Sequence, residues 1–210
     1  ANELALAQIK DQIRAQQSQI ARLHGDLEVV GQMVQLDNMA QYREHIRAGA
    51  EHHLAGEYQE SVDEFTKALA LRPDALRAFL NRGMSHQELG NWEAALADFR
   101  AAQEIDPENY APWNNIAWLL ATCPDEEIRD GEQAVDAAKQ ACEKSEWKVF
   151  SAISTLAAAY AETGDFESAI AQNQRAMELA PEAARDELRQ ELARFQAAKP
   201  LRIGEEEARE

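Results

Sequence analysis

Six residues of this chain return thirty-four positions later: Gly49, Gly56, Tyr58, Phe65, Ala68 and Pro73 are answered by Gly83, Gly90, Trp92, Phe99, Ala102 and Pro107, one aromatic standing in for another. A fixed period of about 20 to 50 residues constrains a fold more than composition does, because a unit of that size buries its apolar faces only by stacking on its neighbours. The order within the period predicts a helix, a short turn at Gly-Glu-Tyr or Gly-Asn-Trp, a second helix, and a proline that stops it. Gly56, Gly90 and, farther on, Gly164 suit the left-handed backbone that closes a first helix. Small residues at Gly49, Gly83, Ala117 and Ala157 let paired helices approach, while Tyr58, Trp92 and Phe166 fill the space between hairpins.

These residues resemble the tetratricopeptide repeat family, whose pattern of small, Gly-x-aromatic, Ala, Phe, Ala and Pro positions fits residues 42–75 and 76–109 and extends over most of 42–183. A third unit at 110–149 keeps Trp113, Ile116, Ala117, Ala134 and Ala141 but carries extra residues within 121–131, where Pro124 and Gly131 predict a longer loop. The fourth, at 150–183, has Leu156, Tyr160, Gly164, Phe166, Ala169, Ala176 and Pro181, and Gly164 follows Gly90 by seventy-four residues, two periods plus six. Beyond it, Ala184, Leu188, Leu192 and Phe195 keep helical spacing and look like the capping helix of such solenoids, over 184–199. The resemblance thus implies an all-α solenoid of about four helical hairpins plus a cap, spanning 41–199, with 200–210 a disordered acidic tail ending in Glu205, Glu206, Glu207 and their neighbours. The degenerate third unit is similar to repeats of large bacterial proteins, which implies a bacterial source.

Residues 1–40 are a different object. Apolar residues alternate at spacings of three and four: Leu6, Ile9, Ile13, Ile20, Leu23, Leu27, Val30 and Val34, with Gln16 the polar member of the series. A period of 3.5 drifts about 20° per heptad off the seam of a straight helix, so the pattern calls for a supercoiled partner. Self-association through residues 1–36 supplies one, and β-branched residues at the d positions Ile9 and Val30 favour a trimer over a parallel dimer. The competing expectation is a helix that folds back to cover the first repeat.

Charge narrows the partners. Lys and Arg total 21 against 38 Asp and Glu, a net charge of −17, which disfavours nucleic acid and anionic lipid surfaces. Apolar runs fall well short of the roughly 20 residues that span a bilayer. The opening Ala1 is compatible with an exported, periplasmic protein after signal cleavage, the cytoplasm being the alternative. Cys123 and Cys142 lack the spacing of a zinc site or a disulfide framework and are expected in the core.

The family resemblance implies a concave groove lined by first helices, in which a partner peptide or segment lies. Transferred position by position, that lining is Arg43, Arg47, His53, Arg77, Leu80, Asn81, Met84, Gln87, Asn114 and Trp118. The arginines would favour carboxylate groups, the asparagines a peptide backbone, and Leu80, Met84 and Trp118 apolar contact. The basic clamp with which some family members grip chaperone tails is largely missing, since Ile46, Ala50, Ala111 and Asn115 occupy its slots and only Asn81 matches. His45, His52, His53 and His86 lack the carboxylate spacing of a known metal motif, and no nucleophile elbow, phosphate loop or dinucleotide fingerprint is present. The sequence therefore points to a non-catalytic, cofactor-free adaptor for protein partners. The alternative is a structural assembly protein whose coiled coil makes a multivalent hub, with no peptide in the groove.

Overall fold

The computed structural model describes residues 2–204, leaving the side chains of 2–9, 11, 13 and 15 outside that description. It is an all-α solenoid behind a long N-terminal helix. In chain order the helices are α1 (Asn2–Leu54), α2 (Tyr58–Leu71), α3 (Leu76–Glu88), α4 (Trp92–Ile105), α5 (Tyr110–Thr122), α6 (Gly131–Lys144), α7 (Phe150–Glu162), α8 (Phe166–Leu179) and α9 (Glu182–Gln196). Helices α1 and α2, α3 and α4, α5 and α6, and α7 and α8 pair as hairpins, and α9 packs against α8.

The thirty-four-residue period is a packing period. A Cβ added at Gly83 would sit 2.6 Å from Phe99 Cε1, and one at Gly49 would sit 2.9 Å from Phe65 Cε1, so in the first two hairpins a ring occupies the space a side chain would need. The next two hairpins even out the sizes: Ala117 and Ala157 hold the small slot, and Ala138 and Asn173 stand in register with Phe99, all buried. Three tight turns pass through Gly56, Gly90 and Gly164 at φ of 78°, 74° and 82°, a region open to glycine at little cost. Only the last adds a side-chain cap, Asp165 accepting from the Ser168 amide at 3.0 Å.

The third hairpin has no such glycine, and its longer loop is stapled instead. Arg129 Nη1 donates to the carbonyls of Cys123 (2.8 Å) and Pro124 (3.0 Å), and its Nε donates to Glu162 on α7 at 3.0 Å. Asp130 then caps α6 by accepting from the Gln133 amide at 2.9 Å. Cys123 and Cys142 are both buried free thiols.

Two expectations meet the structure differently. The chain after Pro200 is not structureless from its first residue: Ile203 donates its amide to the Thr122 carbonyl at 2.8 Å, Arg202 Nη1 reaches Glu162 Oε2 at 2.6 Å, and Leu201 and Ile203 pack on the core. Residues 200–203 thus strap the C-terminal ends of α5 and α7, whereas Glu205, Glu206 and Glu207 lie outside the described residues. Nor does the N-terminal segment fold back over the first repeat. Every residue from Gln16 to Asn38 is exposed along one unbroken helix, Ile20, Leu23, Leu27, Val30 and Val34 between 53% and 70%. Leu6, Ile9 and Ile13 belong to the side chains outside the description.

Candidate partner-binding groove

The last turns of α3, the middle of α5 and the first turns of α7 contribute to one inner surface. Met84 and Gln87 from α3, Asn114 and Trp118 from α5, and Phe150 and Ser154 from α7 line a pocket of about 260 Å³ there, closed on its far side by Glu187 and Glu191 of α9. Met84 is 44% exposed and Glu187 is exposed too, while Gln87, Asn114, Trp118 and Phe150 are half-buried and Ser154 and Glu191 are buried. None of the lining residues is Lys, Arg or His.

The remaining sequence-predicted residues lie elsewhere. Arg47 is held on its own helix by Glu44 at 2.6 Å and Glu51 at 2.5 Å, and the Arg47 hydrogen bond and charge in turn hold the Glu44 carboxyl below its usual range. His53 sits in the seam between the first two hairpins, its Nδ1 2.9 Å from Ser85 Oγ and its ring edge-on to Tyr58 with centroids 5.4 Å apart. Ser85 also meets Ser61 at 2.8 Å and donates to the Asn81 carbonyl at 3.1 Å, so these groups join hairpins. Leu80 packs against the core. Arg43 and Arg77 are exposed and outside the pocket, with no ion pair among the described residues. The carboxylate-seeking cations foreseen from sequence therefore do not converge with Met84, Gln87, Asn114 and Trp118.

Pattern reading passed over Glu191, a buried carboxylate in the pocket wall, and Asn173, which holds it from behind. Glu191 is 8% exposed, and burial, opposed by the hydrogen bonds from Ser154 and Asn173 and assisted by the Glu187 charge, pushes its carboxyl up to about 7. Ser154 Oγ donates to Glu191 Oε2 at 2.8 Å and Asn173 Nδ2 donates to the same oxygen at 2.9 Å. The signal was in the register: Glu191 follows Ala157 by thirty-four residues, and Asn173 follows Phe99 by seventy-four, the offset that relates Gly164 to Gly90. Both are polar departures at positions the repeat reserves for small or aromatic side chains.

His45 pairs with Glu64 and His52 with Glu57, each at 2.6 Å, whereas His86 Nδ1 is buried without a hydrogen-bond partner. Among the described residues no three His, Cys, Asp or Glu side chains are placed to share a metal ion, and no helix is long and apolar enough to cross a membrane.

Residues 76–109 match the sequence model of the tetratricopeptide repeat. A curated relative, sperm-associated antigen 1 of Mus musculus, is 38% identical over 61 residues, which is 29% of this chain and only 7% of that protein. Among solved structures, the type IV pilus biogenesis factor PilW superposes with a TM-score of 0.66 at 21% identity, over 74% of this chain and 69% of PilW. YrrB, described as a repeat protein with an unusual peptide-binding site, superposes with a TM-score of 0.55 at 17% identity, over 73% of this chain and 75% of its own. At such identities the structural likeness is one of fold.

Proposed function

Since this chain belongs to the tetratricopeptide-repeat family, we propose that it is a non-catalytic adaptor that binds an extended segment of a partner protein in the concave groove of its repeats. One observation carries the reading: Met84, Gln87, Asn114 and Trp118, drawn from two hairpins, open on a single pocket beside Phe150 of a third. Apolar walls with a few convergent amide and hydroxyl groups are the make-up of recognition sites, and aromatic anchors in such pockets carry most of the binding energy. The likeness to YrrB, with its peptide-binding site, supports the same reading.

A second reading rests on α1. Its exposed seam of Ile20, Leu23, Leu27, Val30 and Val34 is apolar surface without cover, and a trimer or dimer of this chain, continued through Leu6, Ile9, Ile13 and Gln16, would bury it. That assembly would present several grooves at once and raise weak contacts by effective concentration.

The two are separated by partner capture with the parent chain, a groove variant carrying Asn114→Ala and Trp118→Ala, and a seam variant carrying Ile20→Asp, Leu27→Asp and Val34→Asp. The groove reading expects the main partner to be lost from the groove variant. Its retention there, with loss from the seam variant, would leave α1 as the working part and remove the groove assignment.

A further inference from the structure

Two residues that line the inner pocket carry an acceptor without a donor. Both hydrogen bonds that Glu191 receives fall on Oε2, and Oε1 receives none from the described residues. Asn114 Oδ1, in the same pocket, is buried with no hydrogen-bond partner. Glu187, one turn earlier on α9, adds a second carboxylate, and no cation lines the pocket to answer either.

A buried carboxylate answered by only a hydroxyl and an amide is costly to keep, and the fold does not require one at this place. The slot in question is Gly49, Gly83, Ala117 and Ala157 in the preceding units, and an alanine at 191 would continue that series. Its partner Asn173 likewise replaces a ring that closes the first two hairpins. Two exchanges of apolar for polar residues meet in one contact, and the carboxylate in that contact lines the pocket.

We propose that this pocket receives a cationic side chain, lysine or arginine, of the bound partner segment, which pairs with Glu191 and donates to Asn114 while its aliphatic stem lies along Trp118 and Phe150. The proposal rests on the groove reading above and gives it a chemical preference. At about 260 Å³ the pocket is smaller than the roughly 300 to 1,000 Å³ of small-molecule sites, a size that suits one long side chain rather than a whole ligand. Electrostatics point the same way. Burial holds the Glu191 acid near neutrality, an arriving cation favours the ionised form, and Glu187 is the titratable neighbour that acts on it, Ser154 of α7 and Asn173 of α8 being neutral donors.

A synthetic library of random dodecapeptides, acetylated and amidated so that the termini are uncharged, is sorted on the full chain and on Glu191→Gln, Glu187→Gln and Trp118→Ala variants. The expected result is a set of peptides with Lys or Arg at one fixed place, losing at least about tenfold in affinity on Glu191→Gln and less on Glu187→Gln. Affinity for the parent rises from about pH 6 to about pH 8, and this rise is absent in Glu191→Gln. Acetylating the selected lysine must produce the same loss on the parent chain, an arm that needs no variant to fold. Peptides that depend on Trp118 but show no basic preference, or keep their affinity on Glu191→Gln, overturn the proposal and leave the groove reading standing. If no selected peptide depends on Trp118, both fall.

Discussion

Glu191 makes the stability of the cap a function of pH, and the sign follows from its surroundings. Its carboxyl rises from 4.5 to about 7 in the folded chain, so between those values the native state holds a proton that the unfolded chain has released. The stabilisation is fully present below about pH 4.5 and is lost as pH rises through about 7. Moving the carboxyl from 4.5 to about 7 corresponds to about 3 kcal/mol at full expression, since each tenfold change in proton affinity is worth about 1.4 kcal/mol. Glu191→Gln keeps an oxygen to accept from Ser154 and Asn173 without the titration. The variant should therefore match the parent near pH 4 and exceed it by up to about 3 kcal/mol at pH 8, which for a chain of this size raises the midpoint by several degrees. Urea melts of both proteins at a series of pH values read the difference directly. A difference that stays constant from pH 5 to 8 would refute the reasoning, because it would mean that the carboxyl titrates as it does in water.

Two further outcomes test the packing. Gly83→Ala forces a Cβ to within 2.6 Å of Phe99 Cε1 and should cost about 1 to 3 kcal/mol despite the better helix propensity of alanine, whereas Gly25→Ala, with nothing within 4 Å, should strengthen α1 by about 1 kcal/mol; circular dichroism melts compare the two. Burial pushes the Cys142 thiol up to about 12, so a thiol reagent at pH 8 should leave it unlabelled in the native protein and label it once urea unfolds the chain, and rapid native labelling at that site would contradict the packing described for α6.

What the repeat makes periodic is legible from the chain, because each unit solves the same packing problem with the same residues. Gly83 against Phe99 is such a solution, and so are the turns at Gly56, Gly90 and Gly164. Glu191 and Asn173 escape that reading because a search for recurrence passes over the places where recurrence stops. The arginines misled for a local reason: Glu44 and Glu51 lie three and four residues from Arg47, near enough on one helix to occupy it before any ligand arrives. The strap at 200–203 was beyond reach because its anchors, Thr122 and Glu162, are neighbours only after four hairpins have stacked. At the front end the periodicity discloses an apolar face, and the structure leaves that face exposed along a single helix.

Helix α1 crosses from the exposed seam into the first hairpin without a break, running from Asn2 to Leu54. Seam and groove are in consequence set at a fixed azimuth, like two cranks on one shaft. Each residue added or removed in the helical stretch just before Tyr42 would turn one crank against the other by about 100° and shift it by about 1.5 Å along the axis. The length of that stretch therefore sets the angle between the exposed apolar face at Val30 and Val34 and the inner face of the solenoid.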